Sequence, residues 1–263
     1  MFRNFVEMPK SILLYVFVLI NFSVALAQND SLKSKKEGFN IPAISAYYAY
    51  EFAGGDLASR FGQNHKVGAT VSFKFKTNWL LTLDAGYMFG EDLKQEAYSI
   101  LDSLKTDVGQ ITSKYGTPGN VLMSERGYTI MVKVGKILPF WQTNENSGPI
   151  LMGGVGFLQH KIRIDNEGND IPQIYGDYKK GYDHLTNGIA FNEFVGYRHY
   201  ARNKMMNFYI GVEFTQAFTK NRRAYNYNTM DYDNKSRLDL LYSLKIGMIV
   251  PFIRRVPNDF YTY

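Results

Sequence analysis

The stretch that decides the fold is Trp79-Leu80-Leu81-Thr82-Leu83-Asp84-Ala85-Gly86-Tyr87-Met88-Phe89. Its odd positions are all apolar, while its even positions include Thr82, Asp84 and Gly86. Side chains alternate between faces in a β-strand, so this pattern describes a strand with two unlike faces. The run 237–252 repeats the pattern over a longer stretch. Leu238, Leu240, Tyr242, Leu244, Ile246, Met248, Val250 and Phe252 share one face, opposite Arg237, Asp239, Ser243, Lys245 and Gly247. In 207–218, Phe208, Ile210, Val212, Phe214 and Phe218 oppose Asn207, Tyr209, Gly211, Glu213 and Thr215. In 66–76, Val67, Ala69, Val71, Phe73 and Phe75 oppose Lys66, Gly68, Thr70, Ser72, Lys74 and Lys76. Less regular runs at 42–53, 127–138, 149–163 and 186–200 bring the strands to eight, and the slip at Asn192-Glu193 reads as a bulge.

The segments between these runs alternate in length. Gly54–Asn64, 91–126, 165–185 and 221–236 are long; Thr77-Asn78, Pro139–Ser147 and Ala201–Asn203 are short. Outer-membrane barrels have an even strand number, short periplasmic turns and long outer loops. A soluble lipocalin-like barrel also has eight strands but has no reason to alternate its loops. Charge decides between the two. Lys66, Lys74, Asp84, Lys133, Glu213, Asp239 and Lys245 all lie on polar strand faces. A Lys or Arg facing lipid at mid-depth costs about 2–4 kcal/mol, whereas acids and bases packed inside a narrow barrel can pair. The expected fold is therefore all-β: an eight-stranded antiparallel transmembrane β-barrel over 42–252, with its charges forming a lumen network.

Aromatic residues fall near the strand ends. Trp79, Phe140, Trp141, Tyr197, Tyr200, Phe208 and Phe252 lie toward the short turns; Tyr50, Phe52, Tyr87, Phe89, Tyr128 and Phe218 lie toward the long loops. Two such girdles are expected where rings bridge acyl chains and headgroups.

The 263-residue chain is 45% hydrophobic, with 20 Tyr, 19 Phe and a net charge of +6. It has no cysteine, which excludes disulfides, thiolate metal sites, a cysteine nucleophile and a lipid anchor on cysteine. Arg3 and Lys10 precede the apolar run Ile12–Ile20, and Ala25-Leu26-Ala27 follows. These are the parts of a secretory signal peptide over 1–27, too short in its apolar run to span a bilayer. Residues 28–41 and 253–263 are then periplasmic segments, with both termini on the periplasmic side of a Gram-negative outer membrane.

The last strand ends Lys245-Ile-Gly247-Met-Ile-Val250-Pro-Phe252. This is similar to the C-terminal signal read by the outer-membrane barrel-assembly machinery, although an eleven-residue tail follows it. Residues 42–263 resemble small outer-membrane β-barrel proteins of Bacteroidota. The resemblance is carried by Gly55–Gly62, by Val212–Arg223 and by Arg237-Leu238-Asp239 through Arg255. It implies outer-membrane lipid and the barrel-assembly machinery as partners. For the PorG-like type it implies an association with type IX secretion or gliding proteins.

Chemistry is sparse. His65, His160, His184 and His199 form no metal-ligand spacing, although His160 and His184 flank one outer loop. No His has a Ser two residues on, the pattern of barrel deacylases; His184 has Thr186. Asp165-Asn-Glu167-Gly-Asn-Asp170 is oxygen-rich like a calcium turn but lacks the full spacing. Residues 92–105 suggest an amphipathic helix, with Leu93, Ala97, Ile100, Leu101 and Leu104 on one face, either capping the mouth or docking a partner. Over 55–64, 91–125, 165–184 and 221–236 the outer loops hold 14 acids against 9 Lys and Arg. Lys33, Lys35, Lys36, Arg198, Arg202, Lys204, Arg254 and Arg255 are expected to form a basic periplasmic rim. No nucleic-acid motif accompanies the positive charge. The expected function is non-catalytic and cofactor-free, an accessory barrel binding protein partners. The alternatives are a transporter of small apolar solutes and an outer-leaflet lipid enzyme.

Overall fold

A computed structural model describes residues 40–166, 168, 170–201, 206–223 and 225–252. The expected signal peptide and the terminal segment 253–263 lie outside these residues. Eight strands form one closed antiparallel barrel. They are β1 (Ile41–Gly55), β2 (Gln63–Lys74), β3 (Trp79–Gly90), β4 (Val121–Ile137), β5 (Gly148–Asn166), β6 (Thr186–His199), β7 (Phe208–Asn221) and β8 (Ser236–Pro251). Each strand pairs with the next, and β8 closes onto β1, with Tyr47 opposite Gly247. Closure leaves no edge strand, so every ladder hydrogen bond has a partner inside the wall.

The wall is apolar outward. Val71, Leu83, Ile130, Val132, Val155, Val212, Leu244 and Ile246 are all exposed, near the middle of their strands. Their inward neighbours Thr70, Asp84, Lys133, Glu213, Ser243 and Lys245 are buried. Water would invert this arrangement, because the hydrophobic effect would turn the Leu and Val rows inward. A barrel that exposes a continuous aliphatic belt and buries its ions is built to stand in lipid. At the belt's edges, Trp79, Phe140 and Trp141 are exposed on the short-turn side, and Phe52, Tyr87, Tyr128 and Phe218 on the loop side. Tyr200 departs from the expected girdle: it is buried at the barrel's short-turn end, where its backbone binds Ser147.

The expected bulge at Asn192-Glu193 is absent. β6 pairs residue for residue with both neighbours, Asn192 with Gly154 and Thr215, Glu193 with Gly153 and Phe214. The sequence pattern slips there because Glu193 itself faces outward, mid-way along β6. A carboxylate on that face is costly, though less so than a Lys or Arg. Replacing Glu193 with Leu should therefore stabilise the barrel in lipid vesicles by up to about 2 kcal/mol. A lower urea midpoint for that variant would contradict a lipid-facing Glu193.

The outer loops close the mouth. The amphipathic segment forms a one-turn α-helix (Gln95–Tyr98) followed by a 3-10 stretch (Ser99–Leu104). Ala97, Ile100 and Leu101 are buried with Leu57 and Phe61 of the first loop and Ile171 and Ile174 of the third. The same cluster includes Met88, Met131, Leu158 and Leu241 from the wall. The helix's apolar face is thus a plug over the barrel, and it is not free to dock a partner.

Candidate functional site

Lys66, Asp84, Lys133, Glu213 and Lys245 meet in one layer across the lumen. Each projects from a different strand, on the inward parity of β2, β3, β4, β7 and β8. Glu213 lies at the centre. It accepts from Lys133 at 2.6 Å and from Lys66 and Lys245 at 3.0 Å each. Asp84 accepts from Lys245 at 2.6 Å and lies 3.0 Å from Lys133. Glu51 joins the layer, 2.7 Å from Lys66, and also accepts from Ser243 at 2.7 Å. Tyr47 donates to Asp84 at 2.7 Å, and the Lys245 ammonium sits over its ring, 3.7 Å from the centroid. Three ammonium groups therefore face three carboxylates, none more than 4% exposed. The layer is neutral as a whole, which lets it exist away from water.

Two residues of the expected network lie elsewhere. Lys74 is buried at the short-turn end, donating to Asn146 at 2.9 Å. Asp239 sits toward the loops, 2.9 Å from His160 Nε2, and accepts from Thr219. The reason is depth: both share the inward parity but lie near opposite ends of their strands. Glu51 and Tyr47 escape a reading of the sequence because Ala and Tyr occupy both faces of β1, which blurs its period. Their odd numbering within β1, shared with buried Ser45 and Ala49, is the signal that places them inside.

The ionic layer is sandwiched between apolar ones. Toward the turns, Leu80, Ile137, Ile150, Met152, Phe194 and Tyr209 pack together. Toward the loops lies the capped cluster described above. A void bordered by Thr70, Asp84, Phe194 and Lys245 measures about 10 Å³, room for about one water. Wall glycines make this packing fit. A Cβ on Gly68 or Gly86 would come within 2.5 Å of the Tyr47 hydroxyl, and one on Gly247 within 2.4 Å of the Tyr209 ring. Gly247, read from sequence as part of an assembly signal, thus also has a packing role. Of that signal's other members, Lys245 points inward, while Val250 and Phe252 are exposed.

The expected basic rim changes in one member. Arg198 is buried and points into the barrel, donating to Ser72 at 3.0 Å and lying over the Tyr200 ring. It occupies the inward parity of β6, so it cannot reach a partner from the rim. Arg202, Lys204, Arg254, Arg255, Lys33, Lys35 and Lys36 lie outside the described residues. No group of metal ligands forms among the described residues, and His160 and His184 have separate partners, Asp239 and Asn228. Asp165 of the oxygen-rich turn pairs with Arg163, while Glu167 and Asn169 lie outside the described residues.

In the outer loops, ion pairs fix the chain above the barrel. Arg223 binds Asp183 with two nitrogens, which holds its guanidinium above its ordinary range. Burial works against the Asp233 charge, but Arg237 and the Lys235 amide outweigh it and hold the carboxyl below its usual range.

No protein-family model matches the chain, and no curated protein matches it by sequence. Several solved structures are similar. Ail, the attachment invasion locus protein of Yersinia pestis, solved with the heparin analogue sucrose octasulfate, is 12% identical over 80% of this chain and 99% of its own, with a TM-score of 0.43. The outer membrane protein OprG of Pseudomonas aeruginosa is 12% identical over 81% of this chain and 97% of its own, with a TM-score of 0.37. AlkL, solved by solid-state NMR in lipid bilayers, is 11% identical over 87% of this chain and all of its own, with a TM-score of 0.36. The barrel assignment itself rests on the strand ring and its apolar exterior.

Proposed function

We propose that the chain is a non-catalytic barrel of the Gram-negative outer membrane, which holds its outer loops at the cell surface for protein partners. The observation that carries this reading is a set of exposed side chains that the barrel does not use. Tyr98, Tyr115, Tyr175, Tyr178 and Tyr232 project from the loops, each about half exposed or more, beside Val108 and Met230. Tyrosine supplies large contact area at low entropic cost and is enriched at protein interfaces. The lumen, filled by ionic and apolar layers, gives no comparable working surface. The resemblance to PorG-like barrels of Bacteroidota directs the search for partners to type IX secretion and gliding proteins.

The test is a cross-linking pull-down from outer membranes, run beside a deletion strain. The expected result is recovery of secretion or gliding proteins by the wild-type chain, with loss of that recovery for Tyr175→Ser/Tyr178→Ser/Tyr232→Ser still inserted in the membrane. Wild-type secretion and surface spreading in the deletion strain would remove the secretion role.

A second reading is uptake of a small apolar solute. Its candidate entry is a cleft of about 530 Å³ on the outer side of β4 and β5, where Tyr87 and Tyr128 lie among the charged Arg126, Lys161 and Lys179. It needs a route from that cleft through the packed lumen, so swelling or uptake in reconstituted vesicles would favour it. An outer-leaflet lipid enzyme has the least support, and unchanged lipid A on deletion would remove it.

A further inference from the structure

The cleft on the outer rim carries an unusual charge arrangement. Arg126 of β4 and Lys161 of β5 are directly paired across the strands. Both occupy the outward parity, since Glu125 and Gly127 on β4 and His160 and Ile162 on β5 are buried. Like charges directly opposite one another in a sheet repel. Neither side chain has a carboxylate partner among the described residues; Arg126 donates only to the backbone oxygen of Glu125, at 2.6 Å. The cleft's two acids do not relieve them. Asp165 is taken by Arg163 at 2.8 Å, and Asp183 is bound by Arg223. Lys179 from the outer loop adds a further cation to the lining. This basic spot sits beside outer loops that are acidic as a whole, with 14 acids against 9 bases, Lys179 among them.

Its height in the wall points to what neutralises it. Tyr128 lies two residues below Arg126 on the same face, and Tyr87, paired with Tyr128, lies beside it; both line the cleft. These rings belong to the loop-side girdle, which marks the boundary of the acyl chains. Two residues along a strand are about 7 Å, so Arg126 and Lys161 stand at the level of the outer-leaflet headgroups. A phosphate there can accept from both at once, with the tyrosine rings against its sugar and acyl stem.

We propose that this cleft binds a phosphorylated headgroup of an outer-leaflet glycolipid, held by Arg126 and Lys161. This rests on the reading of the chain as an outer-membrane barrel. The probe is diphosphoryl lipid A, titrated into the purified barrel in detergent and followed by native mass spectrometry. Removing one charge-assisted contact should weaken binding about 10-fold, and Arg126→Gln/Lys161→Gln more than either single variant. Both side chains point away from the core, so circular dichroism should be unchanged. Lys136→Gln, which removes an equal charge at the opposite girdle over Trp79, should bind like wild type. Dephosphorylated lipid A should bind no better than diacylglycerol, which has no phosphate. Equal affinity of wild type and double variant would overturn the site. Displacement by an equal concentration of inorganic phosphate would overturn the lipid assignment in favour of a soluble anion. A chain that stays dissolved and folded without detergent would instead remove the outer-membrane reading, and the site with it.

Discussion

Replacing Glu213 with Gln should destabilise the barrel by about 3–5 kcal/mol, the range seen when one partner of a buried ion pair is removed. Glu213 is the carboxylate that three lysines share, at 2.6, 3.0 and 3.0 Å. Without its charge, Lys66, Lys133 and Lys245 would face only Glu51 and Asp84, in a layer buried from bulk water. The amide retains one acceptor but supplies two donors that point at ammonium groups. Urea unfolding from lipid vesicles, read by the gel mobility of the folded barrel, measures the loss. A second substitution sharpens the test. Lys133→Met in the Glu213→Gln background restores the match of two lysines to two carboxylates, so the double variant should be more stable than Glu213→Gln alone. Such coupling is expected of residues in one network. A Glu213→Gln barrel within about 1 kcal/mol of wild type would mean that water, rather than the carboxylate, stabilises the lysines.

The second large effect is steric. Gly68→Val should cost about 3 kcal/mol, from overpacking and loss of a buried hydrogen bond. The first added carbon would lie 2.3 Å from the Ala85 carbonyl oxygen and 2.5 Å from the Tyr47 ring. The carbonyl is part of the wall, so the ring must move, and its hydroxyl would leave Asp84. Tyr47→Phe should cost less, because the ring stays and only the hydrogen bond is lost. Gly153→Val is the control: its Cβ position is open to the outside, and β-branched residues suit a strand. It should be neutral or stabilising in the same unfolding assay. Equal effects at Gly68 and Gly153 would show that the tyrosine cradle contributes nothing.

The eight strands, the faces of the four regular ones and the alternation of loop length were legible in the chain because each is a local property. Thr82-Leu83-Asp84 declares its two faces without reference to any other strand, and a lipid exterior makes the apolar face the outward one. The same locality explains the misreadings. Glu193 looked like a bulge because an outward acid breaks the pattern as a slipped register does. Arg198 looked like a rim residue because it lies near the end of its strand, although its parity already pointed inward. The helix over 92–105 showed its apolar face, but not that Phe61 and Ile171 cover it.

By itself, then, the sequence determined that this chain closes into an antiparallel barrel with greasy walls and inward ions. Only the tertiary structure decided which of those ions meet. Lys66 and Glu213 stand 147 positions apart, and their encounter depends on the stagger of eight strands around a closed ring. Lys74 and Asp239 have the same parity and miss the layer, because parity sets the face of the wall, whereas register across the whole barrel sets the depth.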